Sequence, residues 1–347
     1  MNYPSISVII PRRTTDSAED AIQAILNSDY PQHLLEIIEV IGESPSNQRN
    51  MGAAAAHGEI LYFLDNDSMV TPTLFSRVVK YYAGAQNSLD TPGVQSSLCD
   101  FPNEKLAGIG GPNLTAPADG FLQQTFGHAL ASPFAHFKMC ARYKPIGNLR
   151  YAGEKELILC NLSLRKKTFL QEQGFDESMY PNEENEFINR LVNKGYQFLY
   201  DPDAYVYRSR RHRFWGFIRQ LFHYGSGRAD QILVEGLSRQ ALLFFLPLGL
   251  LCYLLFLLFL LAGGALSWWM LLPLAFYSVL AILSALQFAI QERSPALVVI
   301  LPIWYLLMHL SYGTGLLSGF LRAWQILPAK QEKSAAPVEI IVRKQLG

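Results

Sequence analysis

Over the first 82 residues, short β-branched runs alternate with amphipathic stretches. Residues 5–10 form an apolar run stopped by Pro11, the pattern of a buried strand. Asp16 or Ser17 can cap a following helix that carries Glu19 and Asp20 in its first turn and an apolar face of Ala21, Ile22, Ile25 and Leu26. Residues 35–41 read as a second strand. A helix then starts near Ser46, runs through residues 53–56 and stops at Gly58. Residues 59–64 are a third strand, and Thr71-Pro72 opens a helix that continues to Tyr82. This β-α-β-α-β-α order predicts a parallel sheet with helices on both faces.

Residues 83–157 are less regular. Regularity returns with a strand over 156–164, a helix ended by Gly174, a helix over 182–194 closed by Gly195, and a strand over 196–200. A basic run at 208–213 then leads into Phe214, Phe217, Ile218, Leu221 and Gly225, which share one helical face, with Arg213, Arg219, Gln220 and His223 elsewhere. An aromatic face flanked by arginines suits a helix lying in a membrane interface; packing on a soluble domain is the alternative.

Three apolar stretches follow, at 242–262, 268–289 and 297–320, each long enough to span roughly 30 Å of hydrocarbon. The pattern divides the chain into 1–211 as an α/β domain, 212–240 as an interfacial helix and linker, 241–321 as a transmembrane domain of about three helices, and 322–347 as a polar tail. Arginines ahead of the first span predict a cytosolic α/β domain in a multi-pass protein of the cell membrane. Three full spans are expected, which would put the tail outside. Arg322, Lys330, Lys333, Arg343 and Lys344 in that tail pull against this: either the third stretch is re-entrant or interfacial, or the positive-inside rule is overridden.

Charge sharpens the split. Between 241 and 320 the only formally charged residues are Glu292 and Arg293. Over the whole chain, 29 Lys and Arg cancel 29 Asp and Glu, so charge offers no argument for a nucleic-acid partner. The four cysteines, Cys99, Cys140, Cys160 and Cys252, lack metal-ligand spacing and read as reduced thiols. No cleaved signal peptide is expected at the N-terminus.

The chemistry concentrates at strand ends. Asp65-Asn-Asp67 closes a predicted strand, where ligands bind in open α/β sheets. Two carboxylates one residue apart can hold a hard divalent cation and the diphosphate bound to it. Upstream, residues 45–52 place Arg49 and Asn50 at a helix start, where arginine and the helix dipole both favour phosphate. Downstream, Glu183, Glu184 and Glu186 crowd the first turn of another helix, more acid than a helix dipole alone accounts for.

With these pieces in order, the chain resembles a family 2 glycosyltransferase of the GT-A fold, a Rossmann-like, mainly parallel mixed sheet, here joined to C-terminal transmembrane helices. The resemblance rests on residues 7–11, 48–52, 58–67, 160–165, 174–177 and 182–186, and it covers about the first 230 residues. Residues 219–228, with Arg219, Gln220, Tyr224 and Arg228, resemble the membrane-proximal segment of exopolysaccharide and glycolipid members. By that resemblance Pro11, Arg49, Asn50, Asp65 and Asn161 bind the donor, and Asp67 with Asp65 holds Mn2+ or Mg2+. Glu183-Glu184 stands where the family has Glu-Asp, whose second acid is the catalytic base. Arg219, Gln220, Tyr224 and Arg228 would face the acceptor at the membrane.

Two departures stand out. Glu184 carries its carboxylate one methylene further than the usual Asp, and the second strand ends Val40-Ile41-Gly42-Glu43 without the usual base-reading aspartate. The resemblance implies an inverting, metal-dependent transferase. It would move sugar from a nucleoside-diphosphate sugar to a membrane-associated, lipid-linked acceptor in polysaccharide or glycolipid assembly. A processive polysaccharide synthase and a non-catalytic scaffold with a decayed transferase domain are the alternatives.

Overall fold

The computed structural model describes residues 3–82, 105–237, 239–326 and 337–347. The chain forms two compact units. One comprises Met1–Ala118, Ala141–Ser209 and Lys333–Gly347; the other comprises Asp119–Cys140 and Arg210–Glu332.

The first unit begins as its pattern predicts: β1 (Ile6–Arg12), α1 (Glu19–Leu26), β2 (Leu35–Ile41), α2 (Pro45–Ala55), β3 (Ile60–Leu64), β4 (Ser68–Val70) and α3 (Leu74–Tyr82). β1 and β3 alternate between two cores. Val8, Ile10, Tyr62 and Leu64 point to one side with α1 and α3. Ile9, Leu61 and Phe63 point to the other. This period-two division is what makes each strand a continuous apolar run. β5 (Leu106–Gly110) and β6 (Asn113–Thr115) follow. Next, α4 (Phe121–Leu130) and α5 (Pro133–His136) belong to the second unit, and the chain returns to the first at β7 (Arg150–Tyr151).

β8 (Asn161–Arg165), α6 (Lys166–Gln171), α7 (Glu183–Asn193), β9 (Gln197–Tyr200) and β10 (Val206–Arg208) complete this part. The strand expected over 156–164 is shorter and later, and it runs antiparallel to both β3 and β5. The sheet is therefore mixed, as a GT-A core requires, where alternation alone suggested a parallel one. A small second sheet orders β4, β10 and β6.

The second unit holds α8 (Phe214–Glu235), α9 (Leu246–Ala262), α10 (Leu272–Gln291) and α11 (Leu297–Ile326). Among the described residues, three stretches are long and apolar enough to cross a membrane: Ala241–Ala262, Trp268–Gln291 and Leu297–Arg322, with mean hydropathy 2.7, 2.0 and 1.6. α8 packs on α11 at glycines: a Cβ on Gly225 would meet the Tyr312 carbonyl, and one on Gly315 the Phe222 carbonyl. The glycine of the Tyr224-Gly225 pair therefore serves backbone approach.

One correction falls on the polar tail expected over 322–347. α11 continues to Ile326, and β11 (Glu339–Lys344) joins the large sheet, antiparallel to β2. Its alternating Ile340 and Val342 cover the edge of β2, and Arg343 reaches the buried Glu39, which also holds Arg12. A short strand with three charges in six residues reads as tail because Arg343 and Lys344 find their partners, Glu39 and Gln32, only in the fold.

Candidate active site

Asp65 and Asp67 lie in the turn between β3 and β4. The turn is closed by the Ser68 N–H on the Asp65 carbonyl at 3.0 Å and by the Asp65 N–H on Ser68 Oγ at 3.2 Å. β10 pairs antiparallel with β4 and sets Arg208 opposite Ser68. Its guanidinium consequently reaches both acids: Nε is 2.7 Å from Asp67 Oδ1, and NH1 is 2.8 Å from Asp65 Oδ2.

The other oxygen of Asp65 accepts from Arg49 NH2 at 2.8 Å. Arg49 is buried on α2 and also donates through NH1 to Glu183 Oε1 at 3.0 Å. The result is a linked row, Asp67–Arg208–Asp65–Arg49–Glu183, drawn from two strand ends and two helices. Burial pushes the Glu183 carboxyl up to about 7; Arg49 opposes the rise and Glu184 adds to it. Next to it, Glu184 is buried with its Oε1 3.6 Å from Arg142 NH1. Arg142 is itself fixed by the Glu154 carbonyl and the Asn185 side chain.

The remaining expected residues take varied positions. Pro11 is buried near the end of β1, paired with Val40. Asn50 donates to the Phe175 carbonyl and accepts from its N–H, both at 2.9 Å, tying α2 to the loop before α7. Asn161 is fully buried. It accepts from Tyr62 OH at 2.7 Å and donates to the carbonyls of Pro112 and Ala204. These bonds cross-link the two sheets behind the aspartates.

Arg219, Gln220, Tyr224 and Arg228 all lie on α8, in the second unit. Gln220 donates to Tyr224 OH at 2.6 Å. Arg228 is buried, donates to Gln231 at 2.8 Å and stacks over the Phe244 ring at 4.1 Å. At the end of β2, Glu43 is exposed beside Arg13. A Cβ built on Gly42 lies 3.1 Å from Val338, just ahead of β11.

Sequence reading missed Arg208 and Arg142. Arg208 stood in a basic run that drew attention to the membrane, and no local spacing announces a pairing across 141 residues.

The donor set suits a divalent cation. Asp65 and Asp67 offer hard oxygens and already converge on one cationic group, the Arg208 guanidinium. Among the described residues no group of three or more His, Cys, Asp or Glu forms a metal cage. A cation there would need further oxygens from a bound diphosphate, which is how Mg2+ is commonly held.

The structure is similar to a mannosyltransferase, PcManGT, from Pyrobaculum calidifontis, solved in complex with GDP-Man and Mn2+. The match has TM-score 0.51 at 15% identity and covers 92% of this chain and 88% of that one. S. aureus TarS matches at TM-score 0.35 and 12% identity, over 68% of this chain and 44% of its own. No curated protein matches the chain. The likeness to the mannosyltransferase at that identity speaks for the GT-A fold. Residues 8–143 match the family described as glycosyl transferase family 2. That stretch contains β1, α2 and the Asp65–Asp67 turn, so the chain carries a family 2 glycosyltransferase domain on a GT-A fold and is a glycosyltransferase.

Proposed function

We propose that the protein is an inverting, metal-dependent transferase that moves a sugar from a nucleoside-diphosphate sugar to a lipid-linked acceptor at the membrane. The row Asp67–Arg208–Asp65–Arg49–Glu183 at the strand ends carries this reading. Two guanidiniums among three carboxylates make a place for a diphosphate only if more positive charge arrives with it. Asp65 and Asp67 would hold Mn2+ or Mg2+, which when bound neutralises the diphosphate as it leaves. The mannosyltransferase of similar fold, bound to GDP-Man and Mn2+, supports that class of donor and metal.

Arg49 would orient the nucleotide, held in place by Asp65 and Glu183. Glu184 would take the acceptor hydroxyl's proton as its oxygen bonds to the anomeric carbon and the carbon–phosphate oxygen bond breaks. Attack from the face opposite the nucleotide inverts the anomeric centre. The three apolar helices support catalysis at a membrane, with the sheet unit in the cytosol and an acceptor such as a polyprenyl phosphate or lipid-linked sugar.

The test takes full-length protein in detergent with a panel of UDP-, GDP- and dTDP-sugars, in Mn2+, Mg2+ or excess chelator. One nucleotide class should raise the melting temperature and be hydrolysed, only with metal present. Asp67→Ala should abolish both effects. Arg208→Gln removes the guanidinium that already sits between the acids, so Mn2+ titrated onto the free protein should bind more tightly than to the unaltered chain. Full turnover in excess chelator would sink the metal assignment.

A further inference from the structure

Glu183 and Glu184 are neighbours in the first turn of α7, and both are buried. Two carboxylates this close oppose each other's ionisation where water is excluded. Glu184 is one cause of the raised Glu183 carboxyl. Each acid also has its own guanidinium, brought by a different segment. Arg49 of α2 serves Glu183 at 3.0 Å, and Arg142, in the segment that leads to β7, serves Glu184 at 3.6 Å.

The two pairs differ in kind. Arg49 NH1 donates a hydrogen bond to Glu183 and so fills a lone pair of that carboxylate. Arg142 NH1 stands beyond hydrogen-bond reach of Glu184 Oε1. Its effect there is that of a near charge. It favours the ionised carboxylate without itself filling a place where a proton can land.

What fixes Arg142 is the helix that carries Glu184. Its NH2 donates to the Asn185 side-chain oxygen and to the Glu154 carbonyl. Asn185 follows Glu184 directly on α7. Its amide nitrogen donates to Asn182 Oδ1 at 3.0 Å, so the amide cannot turn over without losing both bonds. All of these residues belong to the sheet unit. The row Asn182–Asn185–Arg142 therefore ties the guanidinium to the turn that carries Glu184. Arg142 Nε is buried with no hydrogen-bond partner among the described residues. A buried donor without a partner is costly, and such costs gather at functional sites.

We propose that Arg142 is a positioning residue for the base, holding Glu184 ionised for the acceptor's proton, and that Asn185 and Asn182 hold Arg142 in that place. The adjacent acids then serve opposite sides of the reaction. Arg49 with Glu183 serves the donor, and Arg142 with Glu184 serves the acceptor.

This role rests on Glu184 as the base, and a double-mutant cycle in the full-length protein separates the two. Release of nucleoside diphosphate, with water as the acceptor, is followed in detergent and Mn2+ over a panel of UDP-, GDP- and dTDP-sugars. Arg142→Gln should lower kcat about ten- to a hundredfold with donor KM unchanged. Arg142→Lys, which keeps the charge, should recover part of that loss. In a Glu184→Gln background no carboxylate remains to be held ionised, so Arg142→Gln should lower kcat no further. If Arg142→Gln does not accumulate, Asn185→Ala loosens the guanidinium and should give a smaller loss that also vanishes beside Glu184→Gln. An equal fold-loss in both backgrounds would overturn the role of Arg142 and leave the base in place, as would a raised donor KM at unchanged kcat. Near-normal turnover of Glu184→Gln alone would remove the base and the role of Arg142 together, as would an unaltered chain that hydrolyses none of the panel.

Discussion

Glu183 and Glu184 are adjacent in sequence but differ in their partners. Glu183 is drawn onto Arg49 and, through it, onto Asp65, while Glu184 lies at a looser 3.6 Å from Arg142. On the proposed mechanism Glu184 is the base that takes the acceptor's proton, and Glu183 positions Arg49. Glu184→Gln should therefore lower turnover by about 10²–10⁴ while donor affinity persists. Glu183→Gln should weaken the nucleotide as well, read as a shift in donor affinity. Near-normal turnover in Glu184→Gln with a dead Glu183→Gln would reverse the two roles.

The Glu183 shift adds a pH signature. Its folded carboxyl titrates at about 7 against an ordinary 4.5, so the folded state binds the proton more tightly than the unfolded state. Stability from this group is full below pH 4.5 and falls as pH rises to about 7. Glu183→Gln should flatten that part of the stability–pH curve, measured by denaturant unfolding of the same preparation at each pH. At this scale the acids and Arg49 were legible, because each sits at a strand end or helix start that local pattern reveals. Arg208 was not, since its role comes from β10 pairing with β4. Asn50 and Asn161 drew notice as motif residues, yet the bonds seen for them tie backbone segments together.

At the scale of elements, the early strands and helices follow their apolar periods closely, and Leu35–Ile41 matches its expected bounds. The pattern could not give direction: β8 looks like any buried strand but runs antiparallel to its neighbours. β11 was illegible for a further reason. Its alternation is brief, and its Arg343 and Lys344 are held by Glu39 and Gln32 some three hundred residues away. Removing residues 337–347 would uncover the edge of β2, strip Arg343 from the buried Glu39 and expose Gly42 at the strand end. The truncated protein should melt several degrees lower, and nucleotide sugar should restore less of that loss than in the full chain. Arg343→Ala should show the same trend more weakly, as its side chain is partly exposed and Arg12 still holds Glu39. An unchanged melting curve on truncation would mean the strand only rests on the edge.

For the whole molecule, the membrane helices bear on what is made. A polymer leaving through the protein needs a path lined by polar or aromatic groups, and such groups inside a bilayer are costly unless they serve one. α9 is Leu- and Phe-rich throughout, and Tyr253, its one hydrogen-bonding aromatic, is spent on the Met270 carbonyl. In α10 and α11 several polar groups are engaged as well: Tyr277 with His309, Ser284 with Tyr305 and Ser132, Trp304 with Thr125. On the proposed function the helices are an anchor and a surface for a lipid acceptor, and the enzyme should add one sugar, or very few, per encounter. Vesicles containing only this protein, donor and lipid acceptor should give a single-step product shift on thin-layer chromatography. Appearance of long chains inside those vesicles would require a path that this arrangement of helices does not provide.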